Sequence, residues 1–301
     1  MKKKNGFLAV SIIFSFFIVF LMILTINMTS YAQNRILLNQ IKKDIKTTTN
    51  LKIDKIEIAK RCNSEVEDCK CKRATNLHYE IDTSKIFGNL SNNGSDLISG
   101  DAFDCDVNGD GTYSENNERF YFLTTLSENQ DYAVLVYYSN VLNGEPTDDG
   151  VSKYNLGDGD LGPTVAVTHL PSSSSWSNVS LYAKDSGVEK TITDELGNTK
   201  KVFSYYGYAA RMIRYQEVID ACGEGSISSN GYLGSCSFLL EHTYNVYPGY
   251  PNLYWLETLS SNNNFSAWGI YSSYEYLQRR SVTDELGVRP VIEVAKEDIE
   301  Y

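Results

Sequence analysis

Histidine, catalytic fingerprints and basic charge are what this 301-residue chain has least of. There are three histidines, His78, His169 and His242, and none stands in the His-Glu-x-x-His pattern that puts two zinc ligands on one helix face. No Gly-x-Ser-x-Gly elbow, P-loop or dinucleotide fingerprint is present, so the commonest hydrolase, nucleotide-hydrolysing and oxidoreductase markers are missing and no enzyme is expected. The 27 Lys and Arg residues face 38 Asp and Glu, a net charge of −11. Because Lys2, Lys3 and Lys4 stand at the start, the remainder is more acidic still. Such a surface repels phosphate backbones, which argues against a nucleic-acid partner, and it suits cations.

Charge is missing altogether from Phe7 to Met28, where only Ser, Thr and Asn interrupt the apolar run. At about 1.5 Å per helical residue this stretch reaches about 33 Å, enough to cross a hydrocarbon core of roughly 30 Å. The preceding lysines stay on the cytoplasmic side, so a single-pass cell-membrane protein with its C-terminal part extracellular is expected. Three fates are open to the leader: cleavage after Gly6, cleavage after Ala32 at the small-x-small site Ser30-Tyr31-Ala32, or retention as an anchor.

All six cysteines lie beyond that stretch, where an oxidising compartment favours disulfides. Cys222 and Cys236 bracket a Gly-, Ser- and Asn-rich segment and are expected to pair. The connectivity of Cys62, Cys69, Cys71 and Cys105 stays open, and their spacing is not that of a zinc finger.

Three regions follow: a membrane segment over 1–46, a polar stalk with a cysteine cluster over 47–100, and a β-rich extracellular domain over 101–301. In the last, Phe120–Leu123, Ala133–Tyr138, Thr164–Val167 and Val288–Val294 read as strands between Gly, Asn, Asp and Ser turns. A helix is expected at Tyr215–Ala221 and another near Cys236–His242. The class reads as α+β, with more strand than helix behind a long N-terminal membrane helix.

The sharpest chemical signal is the acidic run from Asp104 to Glu118. Calcium takes six to eight oxygen ligands, which a loop supplies at alternate positions around a glycine turn. One frame uses Asp104, Asp106, Asn108 and Glu115. The other uses Asp106, Asn108, Asp110 and Ser114, then Asn117 with Glu118 beside it. Calcium is the expected cofactor. The 22 tyrosines point mostly to packing, yet Tyr247 and Tyr250 stand between Pro and Gly residues, where burial is hard to arrange. They are the candidate ligand-binding residues, for a glycan or another surface protein. Trp255 and Trp268 are expected in the core.

Two resemblances add to this. Lys2-Lys3-Lys4-Asn5-Gly6-Phe7, with Leu37, Ile41 and Ile45 continuing on one helical face, resembles the type IV pilin and pseudopilin leader. That implies processing after Gly6 and pilin-type assembly, although Ser11 stands where those families carry Glu. The ordered set Ala210-Arg211-Met212-Ile213, Tyr254-Trp255-Leu256-Glu257-Thr258, Ala267-Trp268 and Gly287-Val288-Arg289-Pro290-Val291-Ile292 resembles bacterial C-type-lectin-like domains of the major-paralogous-domain type. That implies a small twisted sheet joining the three C-terminal segments. The expected function is a membrane-anchored extracellular binding or adhesion protein. The alternative is a minor pseudopilin, structural in a pilus or secretion apparatus.

Overall fold

The computed structural model describes residues 61–65, 68–80, 85–92, 94–147, 150–157, 161–223, 236–241, 253–261, 265–271 and 276–301. All belong to one unit, Ala59–Tyr301. The N-terminal hydrophobic stretch lies outside the described residues, and among those described no helix is long and apolar enough to cross a membrane.

The two strongest strand signals are the centre of the fold. Arg119–Thr125 and Tyr132–Tyr137 pair antiparallel, and from Phe120 to Leu123 and from Ala133 to Tyr137 every side chain is buried. Both faces of these strands are covered, which is why they read as apolar runs rather than as alternating patterns. The main sheet runs Cys71–Arg73, Asp101–Cys105, Arg119–Thr125, Tyr132–Tyr137, Pro290–Ala295, Arg211–Met212. Asn89–Leu90 joins its side in parallel with Asp101–Ala102. Strands therefore begin well before residue 101: Cys71–Arg73 is bonded into this sheet through both its backbone and the Cys71–Cys105 disulfide.

A second sheet runs Ser152–Lys153, Glu285–Val288, Leu253–Leu259, Ser266–Tyr271, Tyr276–Ser281. In it Trp255 sits opposite Gly269, and Gly287 lies beside Tyr254 in a parallel pair. Trp255 is fully buried and Trp268 nearly so. A side chain at Gly287 would collide with the buried Asn140 amide, which would have to shift.

The α+β expectation is corrected to a mostly β fold, with 36% strand and 11% helix among the described residues. Among the described residues the one α-helix is Tyr215–Cys222. The anticipated helix near Cys236 shrinks to a 3-10 turn, Ser237–Leu240. The β-branched run Thr164–Val167 is not a strand either: Ala166–His169 is a 3-10 turn closed by local backbone bonds such as Val167 N–H to Pro163 O. The single strand expected over Val288–Val294 is two, because Arg289 breaks it. Its guanidinium is fully buried, donates to the Leu239 and Glu241 carbonyls and lies over the Tyr254 ring. Pro290, without an N–H, then opens the next strand in the other sheet.

All six cysteines are paired, as Cys62–Cys69, Cys71–Cys105 and Cys222–Cys236. This is consistent with an extracellular or secreted protein.

Candidate functional site

Two sites emerge, one anticipated and one not. In the acidic loop, Asp106 is turned inward and nearly buried. Its carboxylate accepts the backbone N–H of Gly109 at 2.8 Å, Asp110 at 3.1 Å and Gly111 at 3.1 Å. Gly109 and Gly111 adopt φ of 78° and 79°, which the tight wrap requires and which favours glycine. Asn108 Oδ1 also accepts the Asp110 N–H at 2.9 Å, and Asp110 accepts both the N–H and the hydroxyl of Thr112. Glu118 closes the far end by accepting the Ser114 N–H at 2.9 Å. The other candidates are engaged elsewhere. Asp104 is clamped by the buried Arg119 at 2.7 Å, and Glu115 takes the Asn76 amide at 2.5 Å. A metal frame that uses Asp104 would have to break a buried ion pair. Among the described residues no three His, Cys, Asp or Glu side chains already converge as a metal cluster. Tyr247 and Tyr250 lie outside the described residues.

The unanticipated site is an open cleft of about 540 Å³. Five segments contribute the charged groups at its centre: Glu128 after the strand Arg119–Thr125, Lys184 and Asp185 in a loop, Lys190 at the start of the hairpin Lys190–Phe203, Arg214 before the helix, and Glu257 in the second sheet; Glu189, Asp194 and Glu195 add further acidic lining. Thr191, Thr193 and Gln216 add exposed hydroxyl and amide groups along its rim.

The charges form one network. Lys190 Nζ donates to Asp185 at 2.6 Å and to Glu257 at 2.9 Å. Arg214 donates to Asp185, lies 3.4 Å from Glu128 and 3.7 Å from Glu257. The Tyr205 hydroxyl donates to Glu257 at 2.9 Å. Beneath them Arg211, fully buried, donates to Glu293 at 2.6 Å and forks onto both oxygens of Glu217 at 2.9 and 2.5 Å. Glu217 also accepts the Arg214 backbone N–H at 2.9 Å, so the residue that starts the helix is tied to the same hub.

This arrangement sets protonation. Burial pushes Asp185 toward the neutral form, but Arg211, Lys190 and Arg214 outweigh it and hold the carboxyl well below its usual range. Burial likewise opposes ionisation of Glu128, and the Ser127 hydroxyl, Arg214 and Lys184 overcome it, bringing the pKa down to about 2. Glu293 goes the other way: burial and the Asp185 charge push it up against the pull of Arg211. Glu128 and Asp185 are therefore held as carboxylates, suited to accepting hydrogen bonds rather than to giving up protons.

A pH dependence follows. A depressed folded-state pKa stabilises the folded chain above the ordinary value of 4.5, and that contribution disappears as the pH falls toward about 2. Wild type is expected to exceed Glu128→Gln in unfolding midpoint at pH 7, with the difference vanishing between about pH 4.5 and about pH 2. A difference that persists unchanged at pH 2 contradicts the assignment.

Compared with protein-family models, with curated proteins and with solved structures, the chain matches none. The site therefore rests on its own geometry.

The cleft residues were missed because no spacing rule links segments so far apart in the chain. One signal was available. Arg211, Glu257 and Glu293 each interrupt an apolar strand sequence: Ala-Ala-Arg-Met-Ile, Tyr-Trp-Leu-Glu-Thr-Leu and Val-Ile-Glu-Val. Charges in such settings are almost never buried unless paired. Three of them, of mixed sign, point to a shared interior network.

Proposed function

We propose that the chain is an extracellular binding protein, held at the cell membrane by its Phe7–Met28 stretch, and that its cleft takes a glycan. The observation that carries this is the cleft itself, in which the partly exposed Glu128 stands beside the nearly buried Asp185 and Glu257, all fixed by Lys190 and Arg214. Sugar hydroxyls donate to fixed carboxylates and accept from fixed cations. A pre-ordered set of both signs discriminates among their positions without first being ordered. Exposed Thr191, Thr193 and Gln216 extend the same hydrogen-bonding chemistry along the rim. The resemblance of the Trp255, Trp268 and Gly287–Ile292 segments to C-type-lectin-like domains supports a surface binding role, although fold alone does not set a ligand. The three disulfides agree with the location.

A glycan array probed with the detergent-solubilised full-length chain tests this. We expect a restricted set of glycans to bind, and Glu128→Gln combined with Thr193→Val to weaken that binding at least tenfold. A blank array, or binding unchanged in the variant, overturns the proposal.

A further inference from the structure

We infer that the loop from Asp106 to Glu118 is a calcium site built from Asp106, Asn108, Asp110 and Glu118, with Glu118 as the closing ligand. None of these residues lines the cleft, so the inference is independent of the glycan proposal.

The deciding observation is Glu118. It is only 4% exposed, and its Oε1 is buried with no hydrogen-bond partner. Burying a carboxylate oxygen unsatisfied is costly, and native structures hold few such groups without a reason. Among the described residues no donor reaches hydrogen-bonding geometry with that oxygen. The surroundings make the cost larger. Asp106 and Asp110 add like charge in the same loop. Three acidic side chains thus share one loop, and one of them has an oxygen facing no donor.

A hard cation answers all of this at once. It supplies a partner to the orphaned Oε1, cancels the repulsion among Asp106, Asp110 and Glu118, and takes the oxygen of Asn108 as a neutral ligand. The loop is already wound for it: the Asp106 carboxylate organises the backbone through Gly111, so the chain pays little to order itself around an ion. Ligation draws Asp110 and Glu118 toward Asp106, since among the described residues these side chains do not yet converge. Calcium fits better than magnesium, which demands a tighter octahedral set and keeps most of its water.

The geometry chooses between the two frames in the sequence. Asp104 is committed to Arg119 and Glu115 to Asn76, which leaves the frame that begins at Asp106 and ends at Glu118.

Isothermal titration of the full-length chain with calcium chloride, and separately with magnesium chloride, tests the inference. Calcium is expected to bind saturably and more tightly than magnesium, and to raise the melting temperature, as a ligand of the folded state must. Glu118→Gln should weaken calcium binding at least tenfold, while Glu115→Gln leaves it unchanged. Asp110→Asn, at an exposed position that puts no fold at risk, should weaken it comparably. The absence of saturable calcium binding at millimolar concentration overturns the inference. So does wild-type affinity in either Glu118→Gln or Asp110→Asn, or an equal loss in Glu115→Gln.

Discussion

Arg211→Ala is expected to destabilise the folded chain by about 3–5 kcal/mol, the usual cost of removing one partner from a buried ion pair. The magnitude comes from what is left behind. Glu217 and Glu293 are nearly inaccessible to water, and without Arg211 neither has a cation that reaches it as well. Arg214 approaches Glu217 only at 3.7 Å. Arg211→Lys should recover part of the loss, because one ammonium group cannot fork onto Glu217 while also reaching Glu293. Replacing all three members by Met or Leu should recover more than the lysine does, since an apolar cluster removes the desolvation cost together with the attraction. Urea unfolding midpoints at pH 7, under non-reducing conditions, rank the four proteins. A loss below about 1 kcal/mol for Arg211→Ala contradicts the view that this network is dehydrated and ionised. The same substitution also reaches the cleft, because Asp185 lies 3.8 Å from the Arg211 guanidinium.

Removing the Cys71–Cys105 disulfide should cost roughly 3–4 kcal/mol in the chain-entropy account. Removing Cys62–Cys69 should cost roughly 2 kcal/mol on the same basis. The sequence separations are 34 and 7, so the first bond constrains a much larger loop of the unfolded chain. Cys71 also lies where the edge strand meets the C-terminus: its carbonyl accepts the Glu300 N–H at 3.0 Å, and Lys70 N–H reaches Asp298 O at 2.9 Å. Releasing the bond therefore loosens both ends of the unit together. Paired Cys→Ser variants, compared by thermal unfolding and by hydrogen exchange at residues 71–73 and 299–301, check this. Equal losses for the two bonds, or unchanged exchange at the C-terminus, contradict it.

Local chemistry explains what could be read from the chain. Phe120–Leu123 and Ala133–Tyr137 are long β-favouring runs, and burial on both faces agrees with their lack of alternation. Tyr215–Cys222 carries Glu217 in its first turn and ends at Gly223 in a positive-φ conformation, both ordinary helix signals. Cys222 and Cys236 close a short loop, so their pairing needs no tertiary information. The failures share a different cause, which is tertiary context. Nothing local marks Thr164–Val167 as a turn, and Arg289 divides a strand only because the Leu239 and Glu241 carbonyls wait for it. The cleft was illegible for the same reason, being assembled from segments brought together only by the fold. In the acidic loop the residue types were legible, but Asp104 and Asp106 could be separated only once Arg119 was seen to occupy the former.

Hydrogen exchange of the full-length chain, with and without a saturating array-positive glycan, tests the central claim most directly. Exchange should slow at residues 127–128, 184–185, 189–191, 193–195, 214–216 and 257–258, which line the cleft, with the acidic loop at 106–118 unchanged. Protection confined to other segments, or no protection at saturation, would contradict it.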